Sequence, residues 1–166
     1  AHSGKPPAEG NEGRYEPSSG VLLIGTTPML ESRPPAVQAG AQRATAVHEM
    51  SHALDHRMSA TYAAGVRALW LSEGRAHFLG LSVRGRQVLP GAVCIPKENL
   101  ILYRLRETLE HVQGSEVLGL SPEAFMADAV PNYALAWAWV HFLYRGEGGR
   151  HAAAFREFLA KGRYAP

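Results

Sequence analysis

The chain has 166 residues, 46% of them hydrophobic and 19% charged, with a formal net charge of +2. That length suits one domain able to bury a sizeable core, and its scattered positive residues argue against nucleic acid or an anionic membrane surface as partner. The single cysteine, Cys94, excludes an internal disulfide, and no stretch approaches the roughly 18 consecutive apolar residues of a membrane span.

Residues 1–20 are rich in Gly, Pro, Glu and Ser and are expected to be a flexible lead-in, leaving 21–166 as one domain. The chain does not begin with Met and shows no signal peptide, so its numbering is expected to start inside a longer or processed protein. Val21-Leu22-Leu23-Ile24-Gly25 is a short aliphatic and β-branched run ending in Gly, which predicts a strand. From Thr26 to Gln38, Pro28, Pro34 and Pro35 predict a loop over or near whatever site the domain carries.

A helix follows, starting between Val37 and Ala41 and ending near Met58. It carries His48-Glu49-Met50-Ser51-His52, the pattern H-E-x-x-H. Residues four apart lie one above the other on a helix, so His48 and His52 can offer two imidazole nitrogens to one cation. Glu49 is rotated by about 100° from His48, beside such an ion and within reach of a water on it. Ala44, Val47, Ser51 and Leu54 are expected to pack around the histidines. With eight His in the chain the pattern can arise by chance, and a metal centre needs a third protein ligand.

Leu69-Trp70-Leu71-Ser72-Glu73-Gly74 supplies one. Glu73 is a lone carboxylate in an apolar helical run, costly to bury without a cation. The interval after His52 lets one helix end and a second, from about Ala68 to Gly80, return antiparallel, with Ser59 to Arg67 as connector. Two further groups have open roles. Asp55 either orients His52 through its free N–H or is a solvated surface residue. His56 is a less favoured alternative ligand, because Glu73 better explains the third position. Cys94 has no neighbouring partner and suits a small buried apolar residue.

Beyond Gly80, Ser82 to Pro96 alternates weakly and predicts a β-hairpin with Gly85 at its turn. Lys97 to Val112 has helical spacing. Ser121-Pro122-Glu123 is a helix start, with Ser capping and Pro at the first helical position. That short helix is expected to end before Pro131. The segment from Asn132 to Arg145 is apolar nearly all round and predicts a buried helix. Its polar exceptions are Tyr133 and His141, the latter favoured as a core histidine. His151 to Leu159 predicts a last amphipathic helix with Phe155, Phe158 and Leu159 inward.

HEMSHALD followed by LWLSEGRAHF resembles the gluzincin metallopeptidases. With the stretch from Tyr133 to Leu143, the chain from about Tyr15 onward is similar to a bacterial peptidase-MA-like group. The resemblance does not extend to the metzincins, since Leu54 and Met58 stand where those need Gly and His. It implies a zincin-like fold of the α+β class, mainly helical, with a small N-terminal β element beside the H-E-x-x-H helix and a helical C-terminal half. It also implies Zn2+ held by His48, His52 and Glu73, an edge strand beside the cleft for an extended peptide, and an extracytoplasmic location.

The activity implied is peptide-bond hydrolysis by a metal-activated water, with Glu49 as general base and Tyr133 helping to hold the oxyanion. The sequence departs from the family at His77, where gluzincins carry an acidic residue that supports a ligand His. An inactive zincin-fold binding or scaffolding protein that keeps the metal therefore stands as the alternative. A closed structural site completed by His56 or His77 is a third.

Overall fold

The computed structural model describes residues 13–25, 31–58, 68–93 and 114–160. Strands β1 (Gly13–Glu16) and β2 (Val21–Ile24) form an antiparallel hairpin, with Tyr15 opposite Leu22. Gly20 takes a positive φ of 68° at its turn, where a side chain would be strained, and donates its N–H to the Glu16 carbonyl. The expected strand at Val21 is therefore present, but its partner lies inside the stretch assigned to a flexible lead-in. Gly, Pro and Ser content masks what Tyr15 supplies in that stretch, an apolar group that is buried.

Helix α1 (Pro35–Met58) starts ahead of the expected Val37, so Pro35 to Gln38 belong to a helix rather than a loop. Proline is tolerated in a first turn because its missing N–H would have no partner there. Helix α2 (Leu69–Gly80) runs next, followed by the two-residue strands β3 (Val83–Arg84) and β4 (Gln87–Val88), paired around Gly85 as expected. Helix α3 (Pro122–Ala127) is capped by Ser121, whose Oγ accepts from the Ala124 N–H. Helix α4 (Ala129–Arg145) begins three residues before the expected Asn132, with Pro131 in its first turn. Helix α5 (Ala152–Ala160) closes the described chain. Thr26–Leu30, Ser59–Arg67, Cys94 and the helix expected at Lys97–Val112 lie outside the described residues.

The architecture is α+β and mainly helical, with α2 packed between α1 and α4. Two glycines let backbones meet there. A Cβ on Gly74 would collide with the Ala136 carbonyl of α4, and one on Gly80 would stand 3.0 Å from the Ala44 carbonyl of α1. The main core joins Leu71, Phe78, Leu81, Trp137, Val140 and Phe155, and a second cluster gathers Leu69, Val117, Phe125, Leu135 and Ala136. His141 lies among Trp137 and Phe78, in keeping with a core role.

Two apolar residues expected to face inward are exposed instead. Leu54 is 52% exposed, because two residues beyond His52 turns it to the far side of α1. Phe158 is also exposed, while Phe155 fills the inward position of α5. Among the described residues no helix is long and apolar enough to cross a membrane.

Candidate metal centre

Two helices build the centre, and their close approach at Gly80 is what brings them together. His48 and His52 stack on one face of α1, with their Nε2 atoms 3.1 Å apart. Glu73, from α2, brings its Oε2 to 3.5 Å from each of those nitrogens. A tetrahedral ion with N and O ligands at about 2.0–2.2 Å needs ligand atoms separated by about 3.3–3.6 Å. In the observed triangle the two 3.5 Å edges fall in that range and the 3.1 Å edge lies just below it. These are the only three His, Cys, Asp or Glu side chains among the described residues that converge in this way.

The electrostatics are those of an anionic pocket. Burial acts to raise the Glu73 pKa, but hydrogen bonds and charge from His48 and His52 outweigh it and hold the carboxyl well below the usual carboxylate range. His52 engages both ring nitrogens, with Nδ1 against the Ser72 hydroxyl at 3.1 Å. Bonding of the outer nitrogen fixes the ring so that Nε2 faces a cation. Ser72 therefore fills the orienting role weighed for Asp55, which instead pairs with Arg75 at 2.6 Å.

Glu49 stands beside the triangle. Its Oε1 is 4.0 Å from His48 Nε2, and its Oε2 accepts the Tyr15 backbone N–H at 2.7 Å. The strand in contact with Glu49 is thus β1, not only the β2 run foreseen. Gly13 makes this approach possible, since a Cβ there would collide with Thr45 and stand 3.0 Å from Glu49 Cγ. His56 lies outside the cluster, with Nδ1 3.0 Å from the Tyr15 hydroxyl.

His77 packs edge-on against His48, ring centroids 4.4 Å apart. Burial, reinforced by the His48 imidazole, pushes it down to about 3, so it is neutral near pH 7. Its Nε2 is buried without a hydrogen-bond partner among the described residues. Tyr133 reaches this layer through His77, ring centroids 5.0 Å apart, while its hydroxyl lies 3.6 Å from Met126 Sδ.

Two residues in this arrangement have no sequence-level signal of their own. Tyr15 acts through its main chain, and Ser72 is a small hydroxyl inside an apolar run. Adjacency to Glu73 was the one hint available for Ser72.

Residues 42–162 match the family described as protein of unknown function (DUF1570). The chain belongs to that family. The match takes in α1 from residue 42 and all of α2, hence His48, His52 and Glu73, and the β1–β2 hairpin of this DUF1570 chain precedes the matched span. No curated protein and no solved structure matches the chain.

Proposed function

We propose that this chain is a zinc-dependent peptide-bond hydrolase with a zincin-like fold of the gluzincin type. The observation that carries the proposal is the triangle of His48 Nε2, His52 Nε2 and Glu73 Oε2, sized for a tetrahedral ion and flanked by Glu49. Two neutral donors and one carboxylate are the ligand set of catalytic zinc sites of this kind, whereas structural zinc is usually closed by four protein ligands. Zinc bound there would acidify a water and polarise the scissile carbonyl.

The remaining steps belong to the chain's own side chains. Glu49 takes the proton of the attacking water and delivers it to the leaving amine. The Tyr15 N–H holds one carboxylate oxygen, leaving Oε1 turned toward the ligand histidines. Tyr133, whose ring packs against His77 beside the triangle, would help to hold the developing oxyanion. The edge for an extended peptide would be the side of β2 away from β1, which pairs with no described strand, since the other side of β1 is taken by Glu49.

A second reading, a metal-keeping protein without turnover, draws on His77, which is neutral where the resemblance expects an acid. One experiment separates the two. Purified protein is analysed for metal content and assayed on unfolded protein substrates with and without a chelator. About one zinc per chain with chelator-sensitive cleavage supports hydrolysis, and stoichiometric zinc without cleavage supports the second reading. Absence of metal affinity defeats both.

A further inference from the structure

On the side of the α2–α4 pair lined by Arg75 lies a second concavity of about 500 Å3, walled by Phe78 and Tyr144 and approached by Arg75, Arg145 and Arg156. The three arginines come from three helices, α2, the end of α4, and α5. Arg75 is neutralised by Asp55. Arg145 and Arg156 both line the cavity and have no ion-pair partner among the described residues.

Arg145 is held in place rather than waving in solvent. It donates from Nη2 to the Pro90 carbonyl and lies across Gly91, where a Cβ would occupy its position. Gly91 has a positive φ of 82° and donates its N–H to Ser82 Oγ at 3.1 Å. Ser82 is buried and in turn bonds the Phe78 carbonyl at 2.6 Å. A run of fixed contacts thus leads from the core of α2 to a guanidinium at the cavity rim. The aromatic wall is rigid too, with Phe78 and Tyr144 stacked at 4.9 Å. Ala152, at the start of α5, adds the positive end of a helix dipole.

We propose that this cavity binds a small organic oxyanion, a phosphate head on a flat apolar body. Guanidinium groups match phosphate oxygens in charge and in fork geometry, and two unpaired ones balance a dianion better than a monocarboxylate. Tyr144, backed by the buried Phe78, takes the apolar body, and the volume lies in the range of small-molecule sites. This site is separate from the metal triangle and its occupancy does not depend on hydrolysis.

The test is calorimetric titration of the metal-loaded full chain with phenyl phosphate, benzoate and inorganic phosphate. Phenyl phosphate is expected to bind with a dissociation constant on the order of 1 mM or tighter, and the other two more weakly. Arg156→Gln and Arg145→Gln should each weaken phenyl phosphate by about tenfold with zinc content and melting temperature unchanged for Arg156→Gln, whose side chain is exposed. Absence of saturable binding overturns the proposal. So does binding that both variants leave intact, which would place the ligand on the zinc. Inorganic phosphate binding as tightly as phenyl phosphate removes the aromatic wall from the site, and benzoate doing so removes the phosphate preference; either result refutes the assignment.

Discussion

The backbone N–H of Tyr15 donates to Oε2 of Glu49 across 2.7 Å, fastening the N-terminal hairpin to the residue proposed as general base. Glutamine keeps an acceptor oxygen for that N–H but has no basic carboxylate. Glu49→Gln is therefore expected to retain its fold and its zinc while peptide hydrolysis drops by about 10²–10⁴-fold. Turnover of a reporter peptide alongside metal analysis checks this. Full activity in the variant would refute the mechanism while leaving the metal site standing.

Ser72 would act on the proposed metal through His52. Ser72→Ala removes the hydroxyl 3.1 Å from Nδ1 and frees the imidazole to turn. Loss of such an orienting partner typically lowers metal affinity by about 10–100-fold. Competition against a chromophoric chelator measures it, and an unchanged affinity would show that helix packing alone aims His52.

Acid should destabilise the metal-free protein through two groups. Unfolded His77 gains its proton near 6.5, whereas the folded residue does so only near 3. Between those values the unfolded chain binds more protons, so stability falls as pH drops, by up to about 1.4 kcal/mol per pH unit. Glu73 acts in the same direction lower down. Its depressed folded value confers stability above its unfolded 4.5 that is lost as pH falls below it. Urea midpoints in chelator at stepped pH should slope from about 6.5 downward, and His77→Gln should flatten the part above 4.5. Parallel slopes in both proteins would contradict the burial of His77.

Gly74 marks the tightest crossing in the core. Besides meeting the Ala136 carbonyl oxygen, an added Cβ would stand 2.8 Å from its carbon and from Val140 Cγ2. Backbone cannot yield as a side chain can, so Gly74→Ala should cost about 1–3 kcal/mol. The strain falls next to Glu73, so zinc affinity should decline with it. A melting curve with and without zinc reads both effects.

The convergence of His48, His52 and Glu73 was legible from the chain because its logic is local. H-E-x-x-H places His48 and His52 by helix periodicity alone, and a solitary Glu73 in an apolar run needs a charge partner whatever the fold. The helix cap at Ser121 and the turn at Gly85 were local in the same sense. Leu54 and Phe158 are exposed against expectation because apolar character does not say which way a helix turns its side chains.

Tertiary structure alone decided the rest. That Glu73 sits 3.5 Å from both imidazoles depends on how closely α1 and α2 approach, which Gly80 permits and periodicity does not reveal. The Tyr15 contact is a main-chain N–H, identical in every residue but proline, so no side-chain pattern could announce it. The arginine-rimmed cavity joins residues from three separated helices, whose convergence exists only once the core between them has packed.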